Sequence, residues 1–155
     1  MIIQRWQSVL LLIAAAVMAC FTFLSIGQVT TEDYIFNFTS LGFFSEGIDT
    51  DGAESINIHT WYFFMLNITT LVLIMTDIFL FRNLNLQKRV CLVSLLFVVA
   101  SGAVGGCLGF SCIEGGEIGW SSVVLCPFIA IISIILAYNR MCSDQRLLRA
   151  ADRLR

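Results

Sequence analysis

The sequence predicts an all-α membrane protein: a four-helix transmembrane bundle with both termini on the cytoplasmic side, a small β-hairpin in the first outer loop and a C-terminal amphipathic helix. Three observations predict it. Hydrophobic residues fill 58% of the 155 positions and charged residues 13%, with a mean hydropathy of +0.87, which is far more apolar than an ordinary soluble domain. Four apolar runs, at about 6–26, 61–81, 90–110 and 120–138, each have the ~20 residues needed to cross ~30 Å of hydrocarbon. All nine Lys and Arg lie at or beside three points, namely Arg5, residues 82–89 and residues 140–155. Basic side chains at span ends resist translocation and favour the anionic inner surface, so those three points share the cytoplasmic side.

The acids complete this partition. The first outer loop, 27–58, holds Glu32, Asp33, Glu46, Asp49, Asp51 and Glu54 and no base, and the second, 111–119, holds Glu114 and Glu117 and no base. Trp6, Trp61, Trp120 and Tyr138 fall at expected span ends, where an amphipathic ring keeps its polar atom among headgroups. Four spans take up over half the chain, so the expectation is one transmembrane domain over 1–155 and no separate soluble domain.

In chain order, the first run loosely imitates a lipoprotein signal ending at Cys20, but Phe21, Phe23, Leu24 and Ile26 continue it to spanning length, so it is expected to stay as a helix. The outer loop that follows opens on residues 34–41, which combine β-branched and aromatic side chains, and closes on the alternating residues 55–58. The two are expected to pair across the acidic turn 46–52, packed on the helix ends because a lone hairpin is marginal in water. The acidic segment 49–54, with Asp49, Asp51 and Glu54, carries a fragment of calcium-loop spacing without the third early ligand or the distal bidentate glutamate, and a solvated turn is expected.

The short connection 82–89 makes the second and third spans antiparallel neighbours, and the glycine-bearing loop 111–119 does the same for the third and fourth, reading as a plain turn. Four of the six cysteines lie within spans, where cysteine acts as a small hydrophobe. Cys107 and Cys112 are the pair whose spacing suits a small disulfide loop, and no metal-ligand spacing occurs.

Two intramembrane patterns stand out. In the second span Thr60, Asn67, Thr70 and Asp77 form a polar stripe with His59 at its edge. One reading is interhelical hydrogen bonding, with Asp77 paired to Arg82, Arg89 or Arg140. The other is a proton or solute path through Asn67 and Thr70 to Asp77. The first is expected, because a path ordinarily carries more than one buried charge. In the third span Ser101, Gly102, Gly105, Gly106 and Gly109 fit small-x3-small spacing, which lets helix backbones approach within the bundle or between copies.

Beyond the fourth span, residues 144–155 place Leu147, Ala151 and Leu154 on one helical face with arginines around them. Such a helix either lies on anionic lipid or docks a cytoplasmic protein. No nucleophile, base or metal pair converges on one membrane face, so no enzymatic activity, cofactor or metal is expected. Expected partners are the lipid bilayer, a protein at the cytoplasmic face and a second copy of the chain; nucleic acid is not expected, since no recognition fold accompanies the arginines.

Both ends carry a resemblance. The opening Met1-Ile2-Ile3-Gln4-Arg5-Trp6-Gln7-Ser8 and the closing Asp144-Gln145-Arg146-Leu147-Leu148-Arg149-Ala150-Ala151-Asp152-Arg153-Leu154-Arg155 resemble domain-of-unknown-function family 4293, bacterial proteins found mainly in Bacteroidota. The family opens on Met-Ile-Gln-Arg-Ile-Gln and closes on Leu-Val-Arg-Ser-x-Asp-Arg-Leu-Arg; here an extra Ile precedes Gln4. The resemblance implies four spans in a bacterial inner membrane and assigns no activity or catalytic residue. It draws attention to Gln4, Arg5, Arg149, Asp152, Arg153 and Arg155, which the charge pattern puts on the cytoplasmic side, as contacts for each other or for a common partner. The claudins offer a looser architectural comparison, with four spans and a strand-rich first outer loop, but their Trp and paired-Cys signature is absent. The leading expectation is a non-enzymatic interaction, assembly or anchoring subunit, and the alternative is a small oligomeric transporter or channel.

Overall fold

A computed structural model describes residues 2–30, 35–46, 57–80, 83–111 and 117–153, with side chains over 6–30, 35–44, 58–80, 83, 85–110 and 118–147. Four helices dominate it: α1 (Ile2–Phe23), α2 (Trp61–Phe79), α3 (Leu84–Ser111) and α4 (Cys126–Arg153). Each carries a stretch long and apolar enough to cross a membrane, namely Trp6–Phe23, Trp61–Phe79, Asn85–Phe110 and Ser122–Leu147. They pack in a ring, α1 against α2 and α4, α3 against α2 and α4.

The buried positions explain that packing. Gln7, Leu11, Ala14, Met18 and Phe21 line α1; Phe63, Asn67, Thr70, Ile74 and Asp77 line α2; Gln87, Cys91, Ser94, Val98 and Ser101 line α3; Ala130, Ile134, Ala137 and Met141 line α4. Spacings of four and three alternate in every helix, a 3.5-residue repeat that keeps one narrow seam facing its neighbours. Leu96, Phe128, Ile132 and other large apolar side chains are exposed on the outside, while the seam is rich in Ser, Thr, Ala and Gly. An apolar exterior around a small, partly polar interior is compatible with lipid as the surrounding solvent.

Five short strands cap one end of the helices: β1 (Gly27–Thr30), β2 (Ile35–Thr39), β3 (Gly42–Glu46), β4 (Asn57–His59) and β5 (Glu117–Trp120). They form one antiparallel sheet in the order β4-β3-β2-β1-β5. Alternation sends Val29, Phe36, Phe38 and Phe43 into the core, and Gln28 and Asn37 to the other face, where Gln28 Nε2 donates to Asn37 Oδ1 at 3.2 Å. Phe38 stacks on Phe43 at 4.5 Å and on Phe63 of α2 at 6.3 Å, and Phe63 meets Phe21 of α1 edge-on at 6.1 Å. These aromatic contacts fix the sheet to the helices.

The structure corrects the expected outer elements. The described parts of the two expected strands do not pair with each other: β2 turns back through Ser40 and Leu41 onto β3, and β4 pairs with β3. Gly42 makes this turn work, since it has φ +149° and a Cβ there would lie 2.1 Å from Ile58 O. The second outer loop is not a plain turn, because β5 adds to β1 as an edge strand of the sheet. A 3-10 turn, Ser122–Leu125, then leads into α4, so the fourth helix starts at Cys126 rather than near residue 120. Pro127 lies in its first turn, where a missing N–H is tolerated. The first helix ends at Phe23 and passes through Cys20 as unbroken helix. Residues 144–153 are not a separate helix; they continue α4 without a break.

Candidate functional site

The polar side chains of the seam fall into layers, from the sheet end to the end that carries the chain termini. At the sheet end, Thr22 Oγ1 donates to Met18 O at 2.7 Å, Ser40 Oγ to Thr22 O at 2.6 Å and Thr60 Oγ1 to Ser40 O at 3.5 Å, tying β2, α1 and the start of α2 together. His59 is exposed in β4, edge-on to Phe44 at 6.1 Å, and takes no part in the seam. One layer in, Ser101 Oγ of α3 donates to Asn67 Oδ1 of α2 at 2.9 Å, and Asn67 Nδ2 donates to Phe63 O at 2.9 Å. Thr70 Oγ1 returns to Leu66 O at 2.7 Å and Ser94 Oγ to Cys91 O at 2.9 Å. Asn67 and Thr70 therefore have their donors committed to bonds within the helices.

Asp77 differs. It is fully buried, and neither carboxyl oxygen accepts a hydrogen bond from any described residue. Among the described residues the expected ion pair is absent: Arg89 and Arg140 are exposed and leave both Asp77 oxygens unpartnered, while Arg82 lies outside the described residues. Gln87, 2% exposed on α3, donates from Nε2 to Asp77 O at 3.3 Å, and its own Oε1 has no donor. One turn along α3, the Cys91 thiol lies beside the Asp77 carboxyl with Sγ directed to Ile134 O at 3.9 Å. Sequence inspection places Asp77 on the stripe but passes over Gln87, whose signal is its spacing: Gln87, Cys91, Ser94, Val98 and Ser101 continue one 3.5-residue seam.

At the terminal end, Gln7 Nε2 of α1 donates to Asp144 Oδ2 of α4. Lys88 Nζ of α3 donates to Gln145 Oε1, and Gln145 Nε2 to Asn85 Oδ1 at 2.6 Å. These bonds bring the first turns of α1, the start of α3 and the C-terminal part of α4 to one place. Of the residues singled out there, Gln4, Arg5, Arg149, Asp152 and Arg153 lie within α1 and α4 but outside the described side chains, and Arg155 lies outside the described residues.

The glycine pattern of α3 divides in two. Cβ atoms on Gly105 and Gly109 would sit 3.0 Å from Phe63 Cζ and 2.4 Å from Trp120 Cη2, so these two positions permit close packing within the chain. Gly102 and Gly106, with Gly105 between them, line an apolar cleft of about 470 Å³ between α3 and α4, walled by Phe110, Trp120, Pro127 and Phe128. Nothing lies within 4 Å of a Cβ built on Gly106. Cys107 is free and exposed, and its suggested partner Cys112 lies outside the described residues, as does the acidic segment 49–54.

Among the described residues no three His, Cys, Asp or Glu side chains group to hold a metal ion. No curated protein matches the chain. A family model described as "Domain of unknown function (DUF4293)" matches residues 3–154, nearly the whole chain and both signature ends. The chain therefore belongs to the DUF4293 family.

Proposed function

We propose that this is a non-enzymatic subunit of a bacterial inner membrane, with both termini in the cytoplasm, that anchors or assembles a protein partner through its arginine-rich C-terminal end. The observation that carries the reading is the continuity of α4. Its 28 residues give a helix of about 42 Å, against ~30 Å of hydrocarbon, so roughly two turns extend past the membrane as a rigid continuation of the span. A helix directed away from the bilayer in this way suits docking better than lying flat on lipid. The bond from Gln7 to Asp144 supports it, because it brings the two signature ends of the chain to the same place.

Transport along the α2 stripe is the second reading. Asp77 favours it, and the internal bonds of Asn67 and Thr70 weigh against a continuous path. Gentle native purification of the tagged protein, followed by mass and identity of what accompanies it, tests the first reading. A stoichiometric partner lost on deletion of residues 152–155 is the expected result. A partner retained after the deletion, or a lone chain, would overturn it; flux measured with Asp77→Asn would then decide the transport reading.

A further inference from the structure

Among the described residues, every buried side-chain oxygen or nitrogen that lacks a hydrogen-bond partner belongs to one pair of residues. They are Asp77 Oδ1, Asp77 Oδ2 and Gln87 Oε1, three acceptors whose neighbouring donors are the Cys91 thiol, directed to Ile134 O, and the Gln87 amide itself. Asp77 lies two residues before the last residue of α2, Phe79, and Gln87 is the fourth residue of α3, so both sit near the terminal end of the helices. The bond from Gln87 Nε2 to Asp77 O, at 3.3 Å, holds the two residues against each other. It also fixes the orientation of the amide, since a flipped Gln87 would set its own oxygen against that carbonyl.

Among the described residues the surroundings supply no fixed positive charge. On α3, Lys88 donates to Gln145 and Arg89 is exposed; on α4, Arg140 is exposed. The Gln7 amide of α1 is engaged by Asp144. The titratable groups facing the pair are the Cys91 thiol and, behind it on α4, Cys142 and Tyr138, none of which carries positive charge in any protonation state. A carboxyl group on a spanning helix in this setting is costly to leave bare. The other polar groups of the seam are satisfied, so the helices are capable of closing such bonds and leave them open here.

Three unpartnered buried oxygens side by side are complementary to a cation. One carboxylate balances one positive charge, and among the described residues no group of three or more His, Cys, Asp or Glu forms around it to favour a divalent ion. We propose that Asp77 and Gln87 form a buried site for a single monovalent cation, either a proton or an alkali-metal ion, entered from the terminal end of the helices. A proton adds to one Asp77 oxygen and turns it into a donor. An alkali ion makes no covalent bond and takes both residues as oxygen ligands. The site is independent of the docking role assigned to the C-terminal end of α4.

The test is modification of the full-length protein in lipid nanodiscs by dicyclohexylcarbodiimide, an apolar reagent that reacts with protonated carboxyls, with the adduct located by mass spectrometry. The expected result is an adduct at Asp77 that is lost in Asp77→Asn. Modification unaffected by added sodium or potassium ions assigns the charge to a proton, and modification suppressed several-fold by either ion assigns it to that ion. In both cases Gln87→Leu, which removes the acceptor and keeps the bulk, should shift the pH midpoint of modification by about one unit, a tenfold change in binding. An Asp77 that stays unmodified when folded under all these conditions, yet reacts once unfolded in detergent, would overturn the site. An unchanged midpoint in Gln87→Leu would remove Gln87 from it. If Asp77→Asn fails to fold, the Gln87→Leu comparison stands without it.

Discussion

The single contact that best reports how the helices recognise one another is the 2.9 Å bond from Ser101 Oγ to Asn67 Oδ1. Both residues are fully buried, one on α3 and one on α2, so each polar group has the other as its alternative to an unsatisfied position in an apolar seam. Interhelical hydrogen bonds in membranes are modest, averaging ~0.6 kcal/mol and reaching ~1.7, because the separated helices also find partners for their polar groups. Asn67 has a second bond, from Nδ2 to Phe63 O, that Ser101 does not influence. A double-mutant cycle of Ser101→Ala and Asn67→Ala, measured by reversible unfolding in detergent micelles, should therefore give a coupling of about 0.6–1.7 kcal/mol. Asn67→Ala alone should cost more than Ser101→Ala alone, since it also removes the internal bond. A coupling near zero would mean that the two helices are held by shape only.

At the scale of elements, α3 contains a contrast between adjacent residues. Gly105 is buried between the ring edges of Phe63 and Phe21, and a Cβ there would lie 3.0 and 3.4 Å from them. Gly106 opens on the cleft between α3 and α4 with nothing within 4 Å. Replacing either by alanine gains about 1 kcal/mol of helix propensity, but overpacking a well-filled site costs roughly 1–3 kcal/mol. Gly106→Ala should thus be neutral or stabilising and Gly105→Ala destabilising, as read from thermal unfolding of the two variants side by side. The same α3 face shows what is legible in sequence. Small-x3-small spacing identifies all of Gly102, Gly105, Gly106 and Gly109 as places where something approaches closely, yet it cannot separate Gly105 and Gly109, where a Cβ would crowd an aromatic ring, from Gly106, where it would meet nothing. Helix existence follows from apolar length alone. The sheet is harder, because its pairing depends on a turn at Ser40 and Leu41 and on β5, which arrives from a loop 78 residues after the end of β2. Asp77 is visible as a charge in an apolar run, whereas the missing partner for it is a three-dimensional fact about α3 and α4.

For the whole molecule, the structure and the charge pattern give independent halves of a topology. All five strands lie at one end of the helices, and the first turns of α1, the start of α3 and the C-terminal part of α4 meet at the other. The nine bases lie in or beside the segments at that second end, while six acids and no base lie in the loop 27–58 that supplies four of the strands. Folding alone cannot say which end faces the cytoplasm, since an inverted molecule would have identical internal contacts. Charge decides it: positive side chains are retained on the cytoplasmic side, so the sheet end should face outward. A fluorescent protein that matures only in the cytoplasm, fused after Arg155, should be bright in cells. A membrane-impermeant thiol reagent added to intact cells whose outer layers admit it should modify Thr50→Cys in the acidic loop, and should reach Asn83→Cys only after lysis. Reversal of both results would place the arginine-rich end of α4 outside and leave the docking role without access to a cytoplasmic partner. Transferring the bases tests the cause as well as the outcome: neutralising Arg82, Lys88 and Arg89 while adding lysines to residues 47–56 should produce a mixed or inverted population, because the internal contacts of the helices are the same in either orientation.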